Sequence, residues 1–85
     1  MGQARVELFT RKGCHLCEDA REQLLALRAE VPFTLVETDV DSSYALKQAY
    51  GLRVPVVVFA GRCVSELRLA EGACADLRRA LEGAR

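Results

Sequence analysis

Phe9-Thr10-Arg11-Lys12-Gly13-Cys14-His15-Leu16-Cys17 sets two cysteines, with two residues between them, where a strand-forming run gives way to a helical pattern. Upstream, Arg5 to Thr10 is rich in strand formers, and Gly13 can supply the bend into the next element. Downstream, Leu16, Ala20, Leu24, Leu27 and Val31 recur at helical steps, while Glu18, Asp19, Arg21, Glu22 and Arg28 occupy other faces and Pro32 marks the end. Residues three apart on a helix are neighbours, so the two sulfurs can close a disulfide without a large backbone movement. The free N–H groups of the first helical turn face Cys14, and Arg11 and Lys12 add positive charge. Such surroundings lower a thiol pKa from about 8.5 to roughly 3.5–7.5. Cys14 is therefore expected to be the nucleophile, with Arg11 and Lys12 stabilising its thiolate. Cys17, beside the apolar stripe, is expected to resolve the mixed disulfide.

Further along, Phe33 to Asp39 reads as a second strand, and Asp41, Ser42 and Ser43 offer N-caps for a short helix stopped by Gly51. Val54 to Phe59 is a third strand, Ala60-Gly61 a tight turn and Arg62 to Leu69 a fourth strand closing a hairpin. Ala73, Cys74, Leu77, Ala80 and Leu81 give the apolar face of a last helix, so the predicted order is βαβαββα. Cys63 and Cys74 read as small core hydrophobes, and Tyr44 and Tyr50 as packing or capping residues. Glu7, in strand one, reads either as a partly buried carboxylate exchanging a proton with Cys17 or, more simply, as a rim residue paired with a basic neighbour.

The chain of 85 residues is 51% hydrophobic and 28% charged, which suits one globular domain spanning residues 1–85. Twelve basic and twelve acidic side chains cancel, leaving no excess positive charge to hold a phosphate backbone, so nucleic acid is not an expected partner. No apolar run approaches the roughly 18 residues that span a bilayer, and neither a signal-peptide pattern nor a myristoylation signal is read at Met1 to Val6. The expectation is a cytoplasmic monomer that does not engage membranes. The gaps between its four cysteines, 2, 45 and 10 residues, do not form a secreted disulfide framework. In a reducing compartment the close pair is redox-active or metal-binding. Zinc would want four ligands, and Cys63 and Cys74 do not supply a second close pair, so no metal site is expected.

The stretch Phe9 to Cys17, with Asp39-Val40-Asp41, Tyr50-Gly51-Leu52-Arg53-Val54-Pro55 and the hairpin at Gly61, resembles the glutaredoxin and thioredoxin superfamily over nearly the whole chain. The resemblance implies an α/β thioredoxin fold: a four-stranded mixed sheet in the order 2-1-3-4, strand three antiparallel to strand one, with helices on both faces. It further implies a cis peptide before Pro55, opposite the cysteines, and a Val54 whose backbone pairs with an extended substrate. Arg11 stands where glutaredoxins usually carry a lysine that steadies the thiolate and binds the glutathione carboxylate, and Arg53 could assist. His15, the only histidine, could stabilise the Cys14 thiolate when protonated or could shape the rim.

The activity implied is reduction of disulfides in proteins or small molecules, with no bound cofactor. The Gly-Gly-Asp element that glutaredoxins use to hold glutathione is absent from Ala70-Glu71-Gly72, so the electron donor is either glutathione or a thioredoxin-reductase-type protein. Two other readings of the same fold are a module that binds zinc or an iron-sulfur cluster, and a redox-inactive adaptor that holds peptides at Val54-Pro55.

Overall fold

The computed structural model describes residues 4–83. Strand β1 spans Arg5–Thr10, helix α1 His15–Glu30 and strand β2 Thr34–Asp39; a short 3-10 turn at Val40–Ser42 leads into helix α2, Tyr44–Tyr50. Strands β3 (Val56–Phe59) and β4 (Arg62–Glu66) and helix α3 (Glu71–Gly83) complete the βαβαββα order. The sheet has the order β2-β1-β3-β4, with β1 parallel to β2, β3 antiparallel to β1 and β4 antiparallel to β3. This is the α/β thioredoxin architecture that the sequence implies.

Alternation along β1 explains the layering. Val6 and Leu8 point to one face and join Ala20, Leu24 and Leu27 of α1, Val57 of β3, and Leu77 and Leu81 of α3 in the larger core. Phe9 points to the other face and packs with Val40 and Val56, bordered by Leu46 and Tyr50 of α2. Helices thus cover both faces, and a one-residue slip of β1 would turn every one of these side chains the wrong way. Glu7 shares the Phe9 face, turned away from α1, which removes it from the proton-exchange role toward Cys17; it has no ion pair among the described residues either.

Several expectations need correction, the first being strand three, which starts at Val56 rather than Val54 because Val54 and the cis-linked Pro55 precede the ladder. Leu16 does not belong to the buried stripe of α1, which consists of Cys17, Ala20, Leu24 and Leu27; Leu16 is 45% exposed. Leu16 instead lines an open groove with Arg68 and Leu69. Strand β4 ends at Glu66, three residues early, because Leu67 adopts a left-handed backbone (φ 66°) that breaks the pleat. Cys63 is exposed rather than a core residue. It pairs with Val58, across a register shift, on the edge strand β4, with its sulfur near Arg53 Nη2 (3.9 Å) and the Ser65 carbonyl oxygen (3.6 Å). Cys74 is half-buried between α3 and α1, where its thiol donates to Gln23 Oε1 at 3.4 Å. Tyr50 packs as expected, its ring stacked on Phe9 with centroids 4.2 Å apart, whereas Tyr44 is exposed.

Candidate active site

The loop from β1 to α1 is closed by a left-handed Gly13 (φ 74°) and a hydrogen bond from the Cys14 N–H to the Arg11 carbonyl oxygen at 3.3 Å. This turn makes Cys14 the N-cap of α1: its backbone is extended, its carbonyl accepts the Glu18 N–H at 3.1 Å, and its sulfur accepts the Cys17 N–H at 3.1 Å. A sulfur thus takes the place that a hydroxyl or carboxylate oxygen usually fills at a helix start. Cys14 and Cys17 form a disulfide with their Cα atoms 5.2 Å apart. The two sulfurs differ in access, since Cys14 is partly exposed and Cys17 is only 2% exposed. An incoming thiolate can reach the first sulfur and not the second.

The antiparallel pairing of Phe9 with Val56 brings the start of β3 to the end of β1, so Val54-Pro55 sits at the same edge of the sheet as the cysteine loop. The Val54–Pro55 peptide is cis and Pro55 is buried. Val54 is half-buried against the Phe9 cluster, and among the described residues its backbone takes part in no hydrogen bond outside the regular elements. His15 is the first residue of α1 and is exposed, as is Lys12.

The arginines behave differently from the sequence reading. Arg11 turns its guanidinium to Asp41, with Nε donating to Oδ2 at 3.0 Å and Nη2 to Oδ1 at 3.1 Å. Those hydrogen bonds hold the Asp41 carboxyl below the usual carboxylate range. Arg53 donates to Glu66 and to the Ala49 carbonyl oxygen, and lies over the Tyr50 ring at 5.5 Å; the Glu66 hydrogen bond is the main reason its own pKa rises. Both arginines are therefore engaged within the chain. Asp41 and Glu66 are the partners that sequence reading missed. A signal for Asp41 existed: parallel pairing of β1 with β2 sets Thr10 beside Asp39 and so brings the following turn to Arg11.

An open groove of about 440 Å³ runs beside Cys17, lined in part by Arg11, Lys12, Arg21 and Asp39. On the other side of the start of α1, the groove that contains Leu16 has a volume of about 370 Å³. Among the described residues no cluster of three His, Cys, Asp or Glu side chains could hold a metal, so a metal on this pair would need ligands from elsewhere. No helix among the described residues is long and apolar enough to cross a membrane.

Comparison with known proteins places these features in a family. The glutaredoxin-like domain (DUF836) matches residues 5–82. An uncharacterized protein of Mycobacterium tuberculosis is 39% identical over 67 residues, 73% of this chain and 69% of its own length. Among solved structures, a protein from X. campestris is 33% identical, covering 94% of this chain and 99% of its own, with a TM-score of 0.71. A mutant thioredoxin from Halobacterium salinarum is 26% identical, covering 96% of this chain and 74% of its own, with a TM-score of 0.63.

Proposed function

Because the chain belongs to the glutaredoxin-like domain family (DUF836), we propose that it is a thiol-disulfide oxidoreductase working through the Cys14–Cys17 couple. One observation carries the reading: the partly exposed Cys14 caps α1 and its sulfur takes a backbone N–H at 3.1 Å, while Cys17 lies buried within bonding reach behind it.

In the reduced protein the N–H of Cys17 and the positive end of a sixteen-residue helix face the Cys14 sulfur and favour its thiolate. Lys12 adds a nearby cation. The thiolate attacks one sulfur of a substrate disulfide; a mixed disulfide forms, and the other substrate sulfur leaves as a thiolate that takes up a proton. Cys17 loses its proton and attacks the Cys14 sulfur, which releases the second substrate thiol and closes the ring. Two electrons and two protons have then passed to the substrate, and an external thiol donor returns them.

Val54 offers free backbone groups to an extended segment of a protein substrate, Pro55 fixes the approach, and His15 and Arg53 form the rim. Substrates are disulfides of proteins or small molecules, no bound cofactor takes part, and the protein acts as a monomer in the cytoplasm.

The test is insulin disulfide reduction with dithiothreitol as electron source. Cys14→Ser is expected to lose at least a hundredfold in rate. Cys17→Ser is expected to accumulate a mixed disulfide on Cys14, visible as a mass adduct that dithiothreitol removes. Full activity in Cys14→Ser would refute the assignment.

A further inference from the structure

Three cations line the groove beside Cys17, and they are not equally available. Arg21 is paired with Glu37 at 3.0 Å, and Arg11 with Asp41 through two parallel hydrogen bonds of 3.0 and 3.1 Å. Of these three groove cations, Lys12 alone has no ion pair with the described residues. The Arg11 pairing is built rather than incidental. Asp39 Oδ1 accepts the Asp41 N–H at 2.8 Å and the Asp39 carbonyl accepts the Ser42 hydroxyl at 2.6 Å, which fixes the turn that presents the Asp41 carboxylate. On the other side the guanidinium rests against Gly51, where an added Cβ would lie 3.3 Å from Nη2. A guanidinium held as a fork by one carboxylate has its best geometry for a second carboxylate already taken.

We propose that Asp41 is a specificity-determining residue of the thiol-exchange site: by occupying the fork of Arg11 it disfavours thiol donors that carry carboxylates, such as glutathione, and leaves regeneration to a protein dithiol. The inference rests on the oxidoreductase reading and names its electron donor. With glutathione, a first thiolate would attack the accessible Cys14 sulfur, forming a mixed disulfide and releasing Cys17 as a thiol once protonated. A second glutathione thiolate would then attack the glutathione sulfur, releasing Cys14 and leaving glutathione disulfide. Arg11 lies three residues before the attacked Cys14 in the same loop, and its guanidinium is already matched by Asp41, so a carboxylate-bearing donor finds no free fork there. A dithiol without nearby carboxylates completes the same two-electron transfer within one molecule and has no use for the fork.

The experiment measures the rate of opening of the Cys14–Cys17 disulfide by quenched alkylation and mass, in the full chain, with glutathione and with the neutral dithiol dithiothreitol. For Asp41→Asn the ratio of the glutathione rate to the dithiothreitol rate is expected to rise roughly two- to fivefold, the range of an exposed ion pair. That gain is expected to shrink in 0.5 M salt, as the Debye length falls to a few ångströms. It is also expected to vanish in the double variant Arg11→Gln with Asp41→Asn, which restores the net charge but removes the fork. An unchanged ratio in Asp41→Asn, or a gain that survives in the double variant, overturns the proposal while the oxidoreductase reading stands. If the dithiothreitol-reduced protein passes no electrons to insulin, the oxidoreductase reading fails and takes this inference with it.

Discussion

The turn between β3 and β4 offers a test in which two neighbouring substitutions have opposite signs. Ala60 and Gly61 both have left-handed backbones, with φ of 55° and 77°, and Phe59 pairs directly with Arg62 across them. This is the two-residue type I′ geometry that matches the twist of a hairpin. Ala60 carries a Cβ in a region that costs an L-residue about 1–2 kcal/mol, whereas Gly61 does not. Replacing Ala60 by glycine removes that cost but adds about 0.5–1 kcal/mol of unfolded-chain entropy, a net gain of about 0.5–1 kcal/mol. Gly61→Ala reverses both contributions. A Cβ at Gly61 would meet nothing within 4 Å, so its cost is backbone strain alone. The two variants should therefore differ by about 1–2 kcal/mol, which for a domain of this size is roughly 4–16 °C in Tm. Thermal unfolding of the reduced proteins, followed by circular dichroism, reads the difference. The turn lies at the end of β3 opposite Pro55, so the redox rate of both variants should match that of the parent. A Gly61→Ala protein as stable as Ala60→Gly would refute the left-handed turn.

Three further predictions concern the site and its surroundings. Arg11 holds the Asp41 carboxyl below its ordinary pKa, so the folded state favours the carboxylate: the pair's contribution is complete at neutral pH and is lost as pH falls through the lowered value. Urea titrations should show a difference between the parent and Asp41→Asn that is constant above the ordinary carboxylate range and shrinks below it; a difference that grows toward acid would contradict the pairing. Burial first, and then Glu71, pushes the Cys74 thiol up, while Cys63 is exposed. Iodoacetamide at pH 8 should therefore modify Cys63 several-fold faster than Cys74, as peptide mass mapping would show, and equal rates would place Cys74 at the surface. Leu24 is fully buried between α1 and the sheet, so Leu24→Ala should cost about 2–5 kcal/mol in urea unfolding; a loss under 1 kcal/mol would mean that the larger core is not packed as described.

The elements that depend on neighbours in sequence were legible. β1 matches its predicted bounds, Ser43 and Gly51 cap α2 as read, and Gly13 adopts the positive φ that its bend requires. Each of these depends on local chemistry: strand-forming side chains, a hydroxyl accepting the Leu46 N–H, and a residue without Cβ. Cys14 and Cys17 belong to the same class, since three residues of helix set their separation. Leu16 and Cys63 misled because each was assigned by periodicity, which gives a face but does not say whether anything covers it. Leu16 lies on an open groove beside α1, and Cys63 lies on the edge strand β4.

Sequence alone determined the βαβαββα order and the close cysteine pair at a helix start, whereas the start of β3 at Val56, just past Pro55, came from the structure. The first two are properties of chain segments a few residues long, where backbone preference and side-chain spacing decide. Tertiary structure alone decided where the charges go. Arg11 and Asp41 are thirty residues apart, and Arg53 and Glu66 thirteen, yet each pair meets because strand pairing brings the segments together. A long cationic side chain can reach any of several carboxylates within its radius, and only the folded arrangement selects one. That choice governs which cations remain available to a partner at Cys14.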